Sequence, residues 1–286
     1  MKLKINLNCL SMGVLFLFGV GILGIFPSPA MASPKRGLIM TPPRVIFEGK
    51  DRSVTVKMVN PEDREYTFDI SIVSTRMLEN GKTEEVSDPN EEERFAQNMI
   101  RFSPRRATIP PNGWQTVRLM VRKPKDLPDG EYRSQLKVTP VIQPDAKNSN
   151  QDNNQQGIGI TIDIVFGVSI PIIVRQGNAA DIRITPHAPK LITKDNEYFL
   201  ETELERTGLF SVFVDVEAFL IPASGDQPIK LGENKGLAIY TQNKNRMVPL
   251  PIKNRDLLTN GKIEIKIFDR EKQNTPLISS KIFELD

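Results

Sequence analysis

Cysteine, histidine and tryptophan each occur once in 286 residues, and two of these scarcities each remove a class of chemistry. Cys9 is the only thiol and lies inside an N-terminal apolar run, where it reads as one more apolar residue. The chain beyond that run therefore lacks the means to build a disulfide framework, a zinc–thiolate centre or a cysteine nucleophile. His187 is the only imidazole, which excludes a site with two or three histidine ligands from one chain. Serine–histidine catalysis would have to use it, yet no Gly-x-Ser-x-Gly turn supplies the serine. Set in Thr-Pro-His-Ala-Pro, it reads as an exposed loop residue. An excess of one charge is lacking too: 38 Lys and Arg face 35 Asp and Glu, a net of +3. Removing Lys2 and Lys4 with the leader described below lowers it to +1. A field this weak gives no bulk support to nucleic-acid binding or to adhesion on an anionic membrane. The glycine-containing segments GKDR, GENKG and GIGI lack any phosphate-cradling pattern. Glu91, Glu92 and Glu93 are adjacent, so they do not point to one side of a strand, and they read as a solvated charge run within an acidic loop over residues 87–93. The expectation is a protein that is not an enzyme and needs no cofactor and no metal. A carboxylate-based hydrolase would require two paired acids that the sequence does not display.

Residues 1–32 have the form of a cleaved signal peptide. Lys2 and Lys4 make a short positive end, residues 9–26 are apolar, and Ala30-Met31-Ala32 is a small-residue cleavage pattern. A retained anchor is the alternative, since about 18 apolar residues nearly span a bilayer. The cleavage pattern and flanking prolines favour export, with no stable membrane insertion afterwards.

The remainder alternates with a period of two, broken by turn signals at intervals of roughly 8 to 12 residues, which is the pattern of β-sandwiches. Val45 and Phe47, then Val54, Val56 and Met58, then Tyr66, Phe68, Ile70 and Ile72 form three short strands. Asn80-Gly81 predicts a two-residue hairpin turn. Further strands carry Ile100 and Phe102, then Val117, Leu119 and Val121, then Tyr132, Leu136 and Val138. Residues 144–156 are too polar to bury themselves and predict a mobile loop. A second set of alternating runs fills residues 181–285, with turns at residues 224–226 and at Asn260-Gly261. The fold class expected is all-β, two tandem immunoglobulin-like β-sandwiches at residues 33–177 and 178–286.

One run stands apart. Ile158, Ile160, Ile162, Ile164, Phe166, Val168 and Ile170 occupy every second position of residues 158–170 without a break. Such a stripe exceeds the usual strand of about 5 to 6 residues and would span roughly 40 Å. Pro171 follows it, as expected of a strand end or a sheet edge. A long apolar-faced edge strand is either an aggregation hazard or a pairing device.

Three segments, TPPRVIFEG at residues 41–49, FSPRRATIPPNGWQTVRLMVRKP at 102–124 and LPDGEYRSQLKV at 127–138, resemble in order and spacing the N-terminal domain of the PapD-like family. These are the periplasmic chaperones that assemble pili through the chaperone–usher pathway. The resemblance covers most of residues 41–175; the second domain fits only by size, β content and position. It implies that the last strand of the first domain, here the stripe, is donated to pilin-like secreted subunits that lack a strand, and that the subunits are passed to an outer-membrane usher. It implies also that Arg44 anchors the subunit's terminal carboxylate, since a guanidinium fork pairs with a carboxylate bidentately. Where the family carries a lysine as second anchor, this chain has Pro171, leaving Arg175 as the candidate. Relatives with a long loop before this strand often carry a flanking cysteine pair; here there is none. Such a chaperone is expected as a monomer, a self-capping dimer or a one-to-one complex. The alternative, a structural or adhesive surface protein of tandem sandwiches self-associating through the same strand, would polymerise.

Overall fold

The computed structural model describes residues 37–90, 93–141, 166–178, 181–253, 255–258 and 260–285. The leader, and Ile158, Ile160, Ile162 and Ile164 of the stripe, lie outside the described residues. Apart from two short 3₁₀ turns, the regular structure of the described residues is entirely β.

The first eleven strands are β1 (Ile39–Thr41), β2 (Val45–Phe47), β3 (Ser53–Val59), β4 (Tyr66–Val73), β5 (Thr75–Met77), β6 (Thr83–Glu85), β7 (Ile100–Ser103), β8 (Arg106–Ile109), β9 (Trp114–Val121), β10 (Gly130–Pro140) and β11 (Val168–Gln176). They make one sheet in the order β1-β3-β9-β7 and another in the order β2-β11-β10-β4-β8, with β5 and β6 as a separate two-stranded ribbon. Alternation explains the layering. On β9, Val117, Leu119 and Val121 turn inward while Trp114, Arg118 and Met120 stay exposed. The two sheets close over a core that includes Val56, Met58, Ile70, Leu119, Leu136 and Ile172. A fully buried aliphatic side chain there contributes about 1.5 to 3 kcal/mol before entropy is counted.

The second set is β12 (Arg183–Pro186), β13 (Lys190–Lys194), β14 (Glu197–Thr207), β15 (Val212–Pro222), β16 (Ile229–Ile239), β17 (Asn245–Ile252), β18 (Gly261–Asp269) and β19 (Leu277–Glu284). Here β14 pairs with β12, β13 and β17, and faces a sheet ordered β16-β15-β18-β19. Leu200, Leu204, Val216, Leu250 and Ile265 are among the side chains enclosed between them.

Two local expectations are decided. Of the two positions expected of Pro171, a strand end or a sheet edge, it takes the edge: β11 runs on to Gln176, pairing Gln135 with Pro171 and Glu131 with Arg175 across β10. Proline is tolerated because β2 joins the other side of β11 only at Ile172–Val174, so Pro171 has a strand partner on one side among the described residues. The turn at Asn80-Gly81 is longer than two residues, because β5 ends at Met77 and β6 begins at Thr83, and the Leu78 amide donates to the Lys82 carbonyl.

The β2–β11 pair is parallel, whereas the other strand pairs of the described residues are antiparallel. It places Val45 opposite Ile172, and hence Arg44 at the point where the edge of β11 stops being covered.

Candidate functional site

The even-numbered residues of β11, Ile170, Ile172 and Val174, face the first core. The odd-numbered ones, Ile173 and Arg175, face the second sandwich, as do Glu131 and Arg133 of β10, while Gln135 on the same face meets Thr75 of the ribbon; all three β10 residues are buried. In sequence these β10 residues look like the solvent face of an alternating strand. They instead form one wall of a buried polar seam.

Arg175 and Glu131 are directly opposed, and the Arg175 Nε donates to Glu131 Oε2 at 3.1 Å. The same oxygen accepts from the Ser211 amide at 3.0 Å and the Ser211 hydroxyl at 2.7 Å. Arg175 reaches further to Glu271, in the connection between β18 and β19, with Nη1 3.0 Å from Oε2 and Nη2 3.2 Å from Oε1. Arg44 meets the same carboxylate, with Nη2 3.0 Å from Glu271 Oε1, and donates to Ser211 Oγ at 3.1 Å. Its guanidinium also lies 5.1 Å from the Phe213 ring centre and 5.7 Å from that of Tyr240. One carboxylate therefore bridges the two arginines singled out in the sequence.

Burial works against the charge of Arg175, but the carboxylates of Glu271 and Glu131 outweigh it and hold its pKa above the ordinary arginine value. Arg133 has the opposite balance, since burial lowers its pKa. It donates to the Thr75 carbonyl and hydroxyl and to Gln242 Oε1, and stacks 3.9 Å from the centre of the Tyr240 ring. Arg206, also lowered by burial, is held by the carbonyls of Gly208, Phe210 and Thr241. Beside Arg175 the seam opens into a cavity of about 730 Å³, bordered by Ile46, Ser211, Phe213, Glu271 and Ile278.

The remaining stripe residues divide. Ile170 is buried in the first core, Val168 is partly buried against it, and Phe166 is 62% exposed at the start of the described segment. His187 sits at the surface, its Nε2 3.5 Å from a Glu205 carboxylate oxygen. Glu93, expected to be solvated, is instead clamped by Arg76 through bonds of 2.5 and 2.8 Å. Among the described residues no group of three or more metal-ligating side chains converges, and no helix is long and apolar enough to cross a membrane. Sequence reasoning missed Glu131, Ser211 and Glu271. Glu131 lay within the GEYR segment as an unremarked alternating residue; Ser211 and Glu271 carried no signal, being far along the chain from the arginines they contact.

No family model matches the chain, and no curated protein matches it in sequence. Solved structures with which it aligns include the Pseudomonas aeruginosa CupB2 chaperone, at 13% identity over 86% of this chain and 100% of that one, with a TM-score of 0.43. Another is the Salmonella enterica SafB chaperone in complex with SafA pilin, at 14% identity over 89% and 99%, with a TM-score of 0.44. A third is the Acinetobacter baumannii CsuC–CsuE chaperone–tip subunit complex, at 14% over 86% and 97%, with a TM-score of 0.46. At these values the all-β architecture stands on the strand registers above.

Proposed function

We propose that this protein is an exported, periplasmic chaperone that holds pilin-like secreted subunits by adding a strand to them and passes them to an outer-membrane usher. Residues 33–177 would form the subunit-binding domain and residues 178–286 the domain that completes its cleft. The observation that carries the reading is the edge of β11. From Val168 to Pro171 it has a partner on one side only among the described residues, and β2 joins it beside Arg44, at the seam where Arg175 is held.

A subunit strand laid along this edge would satisfy its own unpaired backbone groups with those of β11 and of the sequence before it. In that sequence Ile158, Ile160, Ile162, Ile164 and Phe166 have the same parity as Ile170, Ile172 and Val174, which face the core side. These side chains would fill the groove left by the subunit's missing strand. Each burial contributes about 1.5 to 3 kcal/mol before ordering costs are deducted. The subunit's terminal carboxylate would replace that of Glu271 on Arg44 and Arg175. Arg175 then takes the role that the lysine at the Pro171 position has in the resembling family. No chemical step and no cofactor is involved.

The test is co-purification from the periplasm. Wild-type protein should carry a small β-rich subunit identifiable by mass spectrometry, and the Ile162→Asp/Ile164→Asp variant should fold yet carry none. Undiminished capture by that variant sinks the proposal.

A further inference from the structure

The outer face of the β1-β3-β9-β7 sheet is independent of the β11 edge and of the seam. Its four strands contain no aspartate or glutamate, in a chain with 35 of them. Lys57, Arg101 and Arg118 project from it on three adjacent strands, with Thr116 paired to Lys57, Thr55 to Arg118 and Met120 to Arg101. None of the three meets a carboxylate among the described residues: Lys57 lies 5.0 Å over the Trp114 ring, Arg101 donates to the Asn98 and Ile100 carbonyls, and Arg118 is exposed. By contrast, Asp69 and Glu131 of the opposite sheet each pair with an arginine. Beside these cations stand Trp114 at 59%, Met120 at 42% and Ile39 at 42% exposure.

Three cations without carboxylate partners, interleaved with exposed aromatic and aliphatic side chains on a face about 15 Å wide, are complementary to a carboxylate-bearing, partly apolar surface. Tryptophan, methionine and arginine are the residue types concentrated at the centres of protein interfaces. The apolar residues are separated by charges and polar threonines, so the face lacks the continuous apolar surface that inserts into a bilayer. Three cations are also few for a polyanion tract. We infer that this face is a docking surface for an acidic segment of a partner protein, whose carboxylates meet Lys57, Arg101 and Arg118 while an aliphatic side chain packs on Trp114.

Trp114 is the only tryptophan, so its emission reports directly on this face. The probe is a synthetic peptide of five Glu-Leu repeats, with five Lys-Leu repeats as the charge control. Anionic vesicles of phosphatidylcholine with about a third phosphatidylglycerol test the membrane alternative. The acidic peptide should shift the emission of the full chain to the blue, the basic one should not, and Arg118→Glu should weaken the effect at least tenfold with an unchanged circular dichroism spectrum. Arg118→Gln serves if the reversal fails to fold, with a smaller weakening expected. An absent shift, or one indifferent to charge at residue 118, overturns the proposal. A shift produced by vesicles and not by the peptide also overturns it, in favour of a lipid surface.

Discussion

Glu131 and Glu271 both bind Arg175, yet they should behave differently when removed. The Glu131 side chain is 1% exposed and satisfies an arginine, an amide and a hydroxyl through one oxygen. Glu131→Ala leaves those donors buried without an acceptor, and should cost about 3 to 5 kcal/mol, read as a lower urea midpoint and a shallower slope as the two sandwiches cease to unfold together. The Glu271 side chain is 19% exposed and a glutamine there keeps an acceptor oxygen for the arginines, so Glu271→Gln should cost less than Glu131→Ala, about 1 to 2 kcal/mol. If Glu271 holds the place of a partner's carboxylate, the same variant should bind a peptide with a free C-terminus more tightly than wild type does, and should favour it over the amidated peptide. Equal binding of the two peptides counts against the anchor. Glu93 governs an acid response. The bond from Arg76 holds its carboxyl below the ordinary 4.5, against the opposing effect of burial. A depressed carboxylate stabilises fully above its unfolded value and loses that contribution as pH falls through the folded one. Glu93→Gln should therefore flatten the loss of stability below about pH 4.5, measured by denaturation at successive pH values. Arg44 and Arg175 were legible in the sequence through family resemblance. The acids they meet were not, because nothing in a run such as Asp-Arg-Glu-Lys at residues 269–272 says which arginine lies across the seam.

The β5–β6 ribbon crosses to the second sandwich, where the Met247 amide donates to the Glu79 carbonyl and Asn243 Nδ2 to the Met77 carbonyl. Gly81 at its tip has φ of +82°, and a Cβ there would lie 2.5 Å from Arg246 Nη2. Gly81→Val should cost about 1 to 2 kcal/mol from the backbone alone and should speed hydrogen exchange at the Met247 amide. Unchanged exchange there would mean that the ribbon does not clamp the two sandwiches. Most strands are legible because one buried face imposes alternation, as in β9. The segments β1 and β13 escaped notice for the converse reason. The first is three residues long, and the second buries none of its side chains, so neither shows a stripe.

Across the whole molecule, the two sandwiches belong to one unit, joined by the polar seam and by an apolar cluster of Met77 and Ile173 with Ala238 and Tyr240. Ion pairs and hydrogen bonds join β10 and β11 to Ser211, Gln242 and Glu271 from the second set of strands. Calorimetry of the wild type should therefore show one cooperative transition, and Glu131→Ala should separate it into two. A single transition in the variant would mean that the seam does not couple the sandwiches. Sequence periodicity could not show this coupling, since an alternating strand looks the same whether its polar face meets water or a neighbouring sheet.

The three-residue parallel contact of β2 with β11 also limits where anything else can go. It occupies the β11 edge from Ile172 to Val174 and, among the described residues, leaves Val168 to Pro171 open. A foreign strand advancing along that edge in the same direction as β2 collides with the start of β2 and can slide no further. A slip of one residue would turn every side chain to the wrong face, and under the proposed strand addition this stop would prevent it. The register of the added strand would then be gauged by the length of its last segment, so that trimming or extending the tail by one residue should matter more than changing its identity.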